Sequence, residues 1–352
     1  MSLDRLSIQG VRNLDPVELD PGPGLNWLVG ANGAGKTSVL EALYVLARGR
    51  SFRTQRVASV IQHGASSLRV VARRAEDQRR LGMERSADRW RGRIDGRDCQ
   101  RLSEFAAALP LVLMEPDSHR LIDGGPEYRR QLLDWQLFHV EPSYLEIWRR
   151  YARFLRQRNA ALKGGAPDKL IDALDGPMIE AGERLNRWRE GQVAAIAEAI
   201  GRLSTELGFR LPGRIELAYR PGHPADQGLA ESVAAFRQRD RELGFTRRGP
   251  HRADLVLTSG GRAAAQELSR GQQKLLALLL LLAQLELVAA QGERPPMLLL
   301  DDPVSELDAG HLAQLLDWLS VQAVQVWVTA TSDCPRRATL FHVEQGRIGP
   351  MV

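Results

Sequence analysis

The first thirty residues alternate apolar and polar positions in short runs. Leu3–Gln9, Pro16–Asp20 and Leu25–Gly30 read as strands, separated by turn residues that include Pro-Gly-Pro-Gly at 21–24. After a glycine-rich turn the period lengthens, and Val39, Leu40, Leu43 and Leu46 mark one face of a helix over about Lys36–Ala47. The stretch 48–101 returns to short alternating runs (SLRVVARR, RRLGMER, RWRGRIDG), the pattern of an antiparallel meander. Residues 111–114 (LVLM) read as one more buried strand.

From about 120 to 245 the pattern is helical. Tyr144, Trp148, Tyr151 and Leu155 step by four, three and four. Beyond the breaker Gly164-Gly165-Ala166-Pro167 the same spacing runs through Leu174, Met178, Ala181, Leu185 and Trp188. It continues after a phase shift through Val193, Ile196, Ile200, Leu203 and Leu207. Two antiparallel helices with a tight connection are expected, as a projecting arm or as a pair packed into a lobe. The last hundred residues alternate again. Strands at Ala253–Thr258, Met297–Asp301, Val324–Thr329 and Thr339–Val343 are interleaved with helices at about Ser269–Ala290 and Gly310–Leu319. That order predicts an α/β fold with a largely parallel sheet. The expected organisation is one lobe from residues 1–120 and 246–352, with the basic meander at 48–101, and a helical lobe or arm at 121–245.

Composition narrows the class. With 43% hydrophobic and 26% charged residues among 352, the chain is long enough for a core and is neither collagenous nor disordered. Two cysteines exclude a disulfide framework and point to a reducing compartment. The N-terminus lacks an apolar signal region, so a cytoplasmic location is expected. The run Leu275–Ala290 is nearly all apolar, but it is short for a membrane span and contains Gln284 and Glu286. A helix buried inside the protein is the expectation, with no membrane partner. Only four of the 48 cations are lysine: Lys36, Lys163, Lys169 and Lys274. GC-rich codon usage explains much of that, so placement matters more than abundance. Between Arg48 and Arg101 there are 15 arginines against six acids, a balance of +9 in a chain of net +5, which leaves the remainder at −4.

Three motifs carry chemistry. Gly30-Ala31-Asn32-Gly33-Ala34-Gly35-Lys36-Thr37, followed by Ser38, fits the phosphate-loop pattern, with an apolar strand before it and an amphipathic helix after it. Its glycines let backbone N–H groups face phosphate oxygens at a helix N-terminus. Lys36 is expected at the β- and γ-phosphates of ATP and Thr37 on Mg2+. Met297–Leu300 ends in Asp301 and Asp302; Asp301 is expected to hold Mg2+ and Asp302 to orient or deprotonate the attacking water. Ser269-Arg270-Gly271-Gln272 opens the apolar helix. Alone it is a good N-cap; beside the other two motifs it offers a second phosphate cup. One phosphate cannot occupy both cups of one chain, so two chains are expected to cap each other's nucleotide.

Together these elements are those of an ATP-binding-cassette head. The 233 residues between Lys36 and Ser269 are too many for a compact transporter subunit and too few for a head with a very long coiled coil. The chain resembles the RecF family of recombination mediators, relatives of the SMC-type heads, over essentially its whole length. Besides the cassette motifs, the resemblance rests on three stretches. They are Ser51-Phe52-Arg53; the run from Glu115-Pro116-Asp117 to Leu133-Asp134; and Gly249-Pro250-His251-Arg252-Ala253-Asp254-Leu255. It implies an ATP-dependent homodimer on duplex DNA and single-strand/double-strand junctions, partnership with RecR, and loading of RecA in recombinational repair. Two departures, Asp302 in place of the usual glutamate and no histidine in Trp327–Ser332, predict slow hydrolysis. A transporter-like ATPase subunit and a non-hydrolysing structural switch are the alternatives. The meander, poor in aromatic residues, is the expected DNA face, through Arg73, Arg74, Arg79, Arg80, Arg91 and Arg93.

Overall fold

The computed structural model describes residues 1–291, 295–332, 334 and 336–351. Along the chain, strands β1 (Leu3–Gln9), β2 (Val17–Leu19) and β3 (Leu25–Val29) precede helix α1 (Lys36–Arg48). Strands β4 (Leu68–Arg74), β5 (Arg80–Arg85), β6 (Trp90–Ile94) and β7 (Arg97–Asp98), helix α2 (Leu102–Ala108) and strand β8 (Leu111–Met114) follow. Next come helices α3 (Arg120–Asp123), α4 (Pro126–Val140), α5 (Tyr144–Lys163) and α6 (Asp168–Glu206), strand β9 (Ile215–Arg220), and helices α7 (Leu229–Ala235) and α8 (Arg237–Leu243). Strands β10 (Asp254–Ser259) and β11 (Arg262–Ala263) lead to helices α9 (Ala264–Glu267) and α10 (Arg270–Gln291). The chain ends with strand β12 (Met297–Leu300), helices α11 (Pro303–Glu306) and α12 (Ala309–Ser320), and strands β13 (Val326–Ala330), β14 (Thr339–Glu344) and β15 (Arg347–Pro350).

The chain forms two compact units, one of Met1–Ser118, Glu206–Phe209 and Val288–Val352, the other of His119–Thr205 and Arg210–Leu287. In the first, β2-β1-β4-β5-β6-β7 make an antiparallel sheet. The second sheet, ordered β15-β14-β3-β13-β12-β8, is parallel except for the β14–β15 hairpin. Both sheets and α1 share one core: Leu6 and Ile8 of β1, Val70 of β4, Leu40 and Leu43 of α1, Leu299 of β12 and Trp327 of β13. The period-two runs of β1 and β4 bury one face each, whereas β3, β12 and β13 are buried along their whole length, as interior parallel strands must be.

In the second unit, α5 and α6 are antiparallel. Tyr144 meets Trp188, Gly182 approaches Tyr151, and Arg158 bonds Asp175, so contacts descend on one helix as they ascend on the other. The pair is packed into a lobe, sharing a core with Leu137 of α4 and Leu229 and Val233 of α7. One element departs from the helical reading of 120–245: β9 has an alternating half-buried pattern and pairs antiparallel with β10 from Ile215↔Ser259 to Arg220↔Asp254. That pairing, with α4 lying against β10, is why residues 246–287 cluster with the helical unit rather than with the first lobe. Helix α10 has the length and apolarity to cross a membrane, but Leu276, Leu279, Leu282 and Leu285 are buried in the protein and Gln284 donates to the Leu132 carbonyl at 2.7 Å.

His251 sits between Tyr151, whose hydroxyl donates to Nδ1 at 2.6 Å, and the Thr246 carbonyl, which accepts from Nε2 at 3.0 Å. That is a neutral tautomer. Burial lowers its pKa from 6.5 to about 4, with the Thr246 carbonyl opposing the shift. The unfolded chain therefore takes up this proton first as pH falls. The full contribution to stability is present above about pH 6.5 and is lost as pH drops toward about 4. Denaturant unfolding at pH 7.5 and pH 5 should show a loss at the lower pH that is smaller in His251→Gln.

Candidate functional site

Strand β3 is held between β13 and β14, and it delivers the chain to a turn at residues 30–35 that opens α1. Gly35 is the N-cap at φ 119°, a conformation closed to most residues, and a Cβ there would come within 2.8 Å of Leu14 Cδ2. No side chain caps α1; the Ser38 N–H bonds the Gly35 carbonyl at 3.0 Å, and the turn meets the positive end of the helix dipole. Lys36, 8% exposed, arches back and donates to the carbonyls of Gly30 at 2.7 Å and Ala31 at 2.9 Å. Burial lowers its pKa, while the charges of Asp302 and Asp301 oppose that shift.

The acidic pair leaves β12 two strands away, with β13 between. Parallel register sets Leu300 opposite Val328 and Leu28 opposite Thr329, which places Thr329 between the loop and the acids. Its hydroxyl donates to Asp301 Oδ1 at 2.8 Å and accepts from the Asp302 N–H at 2.8 Å. Thr37 Oγ1 donates to the same Asp301 oxygen at 2.8 Å. Burial raises the Asp301 pKa, with the Thr37 and Thr329 hydroxyls and the Arg53 charge opposing. Asp302 is left-handed, at φ 50°. Ser305 Oγ donates to its Oδ2 at 2.6 Å, and its Oδ1 is buried without a partner. The Thr37 hydroxyl, the Asp301 carboxylate and the orphaned Asp302 oxygen are hard donors, suited to Mg2+ rather than to a softer metal.

Lys36, Thr37 and Asp302 line a cleft of about 380 Å3 together with Arg12, Asn13 and Arg53. The last three are not among the site residues expected from the motifs. Asn13 braces the loop, donating to the Gly33 carbonyl at 3.1 Å and accepting from Ser38 Oγ at 3.2 Å. Arg53 is exposed and makes no side-chain hydrogen bond or ion pair among the described residues. A polar pair after a first strand is too common to single out Arg12 and Asn13. Asn32, Gly33, Gly35 and Ser38 also line the cleft, whereas Gly30, Ala31 and Ala34 contribute backbone.

In the other unit, Ser269-Arg270-Gly271-Gln272 forms the exposed N-terminus of α10. Ser269 Oγ accepts from the Gln272 N–H at 3.4 Å and Gln272 Oε1 accepts from the Ser269 N–H at 2.9 Å, a reciprocal capping box. Gln273 anchors the turn by donating to the carbonyls of Ala265 and Leu268, each at 3.0 Å. Arg270 pairs with Asp123 at 2.8 Å.

The meander arginines divide by strand periodicity. Register sets Arg73 opposite Arg80, Gly82 opposite Arg93 and Glu84 opposite Arg91, so Arg73, Arg80, Arg91 and Arg93 share the outer face. Arg79 lies in the turn, paired with Asp77 and Asp95. Arg73 is bonded to Asp4 and Arg93 to Asp98, while Arg80 and Arg91 are exposed without an acidic partner among the described residues. Arg74 is a correction to the expected DNA face. Adjacent strand residues point to opposite faces, so it turns inward, 2% exposed, and bonds Asp77 and the Ala108 carbonyl.

Residues 2–339 match the model of the RecF/RecN/SMC N-terminal domain family. The chain is 43% identical to the DNA replication and repair protein RecF of Xanthomonas axonopodis pv. citri (strain 306), covering 99% of this chain and 98% of that one. It is 41% identical to the DNA replication and repair protein RecF of Thioalkalivibrio sulfidiphilus (strain HL-EbGR7), over 99% of both. Among solved structures it is similar to the recombination mediator RecF-ATPrS of the RecFOR pathway, with TM-score 0.89 and 24% identity over 100% of this chain and 98% of that one. It is also similar to an Smc head bound to the C-winged helix domain of ScpA, with TM-score 0.60 and 17% identity over 100% of this chain and 98% of that one. The fold is thus the SMC-like ATP-binding-cassette head, and the chain belongs to the RecF family of DNA replication and repair proteins.

Proposed function

We propose that this chain is an ATP-driven switch that closes as a homodimer on DNA during recombinational repair in the cytoplasm. The observation that carries the reading is the meeting of Lys36, Thr37, Asp301 and Asp302 at one end of the parallel sheet, around Thr329. The turn at 30–35 and the bare N-terminus of α1 cradle phosphate oxygens, and Lys36 exchanges its two carbonyl partners for the β- and γ-phosphates. Thr37 and Asp301 hold Mg2+, which when bound neutralises charge on those phosphates. Asp302 orients the attacking water; a P–O bond forms at the γ-phosphorus as the bond to the β-bridging oxygen breaks, giving ADP and phosphate. The carboxylate is one methylene shorter than glutamate, Ser305 holds one of its oxygens, and residues 327–332 include no histidine. All three features support slow turnover, with nucleotide serving mainly to hold the dimer. Thr329→Val should keep ATP affinity within a few-fold while lowering kcat, because the hydroxyl is engaged by the Asp302 N–H and Asp301 Oδ1 and holds the acidic pair in place.

Ser269, Arg270, Gly271 and Gln272 supply the second phosphate cup, offered to the nucleotide of another copy. In sedimentation velocity with ATP, ADP and no nucleotide, only ATP should give the dimer. Ser269→Arg should abolish that dimer and spare nucleotide binding, whereas Lys36→Ala should weaken both. A wild-type monomer under every condition would defeat the composite site.

The outer meander face is proposed to take duplex or junction DNA. Arg73 lies directly opposite Arg80; Asp4 already pairs with Arg73, which leaves Arg80 to a phosphate. The relatives are named for DNA replication and repair, and the similar structure for the RecFOR pathway. Partnership with RecR and loading of RecA follow from the family resemblance. Removing Arg80 and Arg91 together should flatten the slope of log affinity against log salt by about 2, the loss expected for two phosphate contacts. Arg74→Ala should leave that slope unchanged and lower the melting temperature.

A further inference from the structure

Below the cleft lies a carboxylate that the motifs do not account for. Glu41, in the second turn of α1, has a side-chain exposure of 0%. A lone buried charge is costly, and this one is fully engaged. Arg12 donates Nε to Oε2 and Nη2 to Oε1, each at 2.7 Å, the bidentate arrangement that fixes both planes. Ser51 Oγ donates to Oε1. The same Ser51 oxygen accepts the backbone N–H of Arg53 at 2.9 Å and of Thr54 at 3.1 Å.

Two chain segments are thereby tied to the helix that opens with Lys36. One follows β1 and carries Arg12; the other follows α1 and carries Arg53. Both arginines line the nucleotide cleft. They are held differently. The Arg12 guanidinium is itself pinned, with Nη1 donating to the Ser59 carbonyl at 2.6 Å. Arg53 is pinned only through its backbone, and its guanidinium has no partner among the described residues. We infer that Glu41 is a positioning residue: one buried carboxylate fixes Arg12 directly and, through Ser51, the turn that aims Arg53 at bound phosphates. A buried ion pair adds little net stability over an apolar replacement, so what this carboxylate contributes is geometry at the cleft.

The inference rests on the nucleotide reading above, and the two can fail separately. Ser51→Ala is the informative variant, because it releases the Arg53 turn and leaves the Arg12–Glu41 pair intact. Equilibrium titration with a fluorescent ATP analogue in Mg2+ should show Ser51→Ala and Arg53→Ala each weakened about tenfold, the scale of one charge-assisted phosphate contact. Ser51→Thr, which keeps the hydroxyl, should bind as wild type. The double variant Ser51→Ala/Arg53→Ala should bind no more weakly than Arg53→Ala alone, since the turn then has nothing to aim. Losses that multiply in the double variant would overturn the positioning role. So would a Ser51→Ala protein that binds with wild-type affinity. A folded wild-type chain that binds neither ATP nor ADP would instead defeat the nucleotide reading, and this inference with it.

Discussion

The phosphate end of the first unit depends on one junction, the Thr329 hydroxyl. Thr37 and Asp301 are 264 positions apart, yet the Thr37 hydroxyl donates to Asp301 Oδ1, although the strands that precede them, β3 and β12, do not pair with each other. The strand between them, β13, carries the threonine that donates to that oxygen and accepts the Asp302 N–H. Buried polar groups tend to find partners, and Asp301 Oδ1 finds two, one from the start of α1 and one from β13. The spacing of three parallel strands is thereby converted into a fixed distance between the phosphate loop and the acidic pair. Asp302 itself is left-handed and is the N-cap from which the chain enters α11.

Around this junction, charge is handled in two ways. Inside, ionic groups are paired: Glu41 with Arg12 and Ser51, and, in the other unit, Arg158 with Asp175, Asp240 and Thr246, although Arg158 Nη2 has no hydrogen-bond partner among the described residues. Such groups confer little net stability but allow few alternative geometries. At the cleft and on the meander, charge is left unfinished. Arg53, Arg80, Arg91 and one oxygen of Asp302 have no partner among the described residues. On the exposed arginines unfinished charge costs little in water, whereas the buried Asp302 oxygen has no such compensation until a ligand supplies a partner.

Much of the fold was legible because its strongest patterns are local. The strands Leu3–Gln9 and Leu111–Met114 and the buried helix from Arg270 follow from period and composition alone. Strand β9 was hidden because six half-buried residues in a long helical region carry a weak signal, and its pairing with β10 joins segments far apart in sequence. That pairing also moved residues 246–287 into the helical unit. Arg74 was misplaced for the opposite reason. Local arginine density does not distinguish the two faces of a strand, whereas the period of two does: two neighbours in a strand cannot share a face.

By itself the sequence determined the phosphate loop, the acidic pair, the capping serine of α10 and the family. These are contiguous patterns whose chemistry is tied to residue type and spacing. Only the tertiary structure decided that Thr329 stands between loop and acids, that Arg12, Asn13 and Arg53 complete the cleft, and which arginines of the meander face outward. The physical reason is that hydrogen bonds and ion pairs join side chains brought together by strand order and register. Those relations depend on the whole sheet, and no single stretch of the chain contains them.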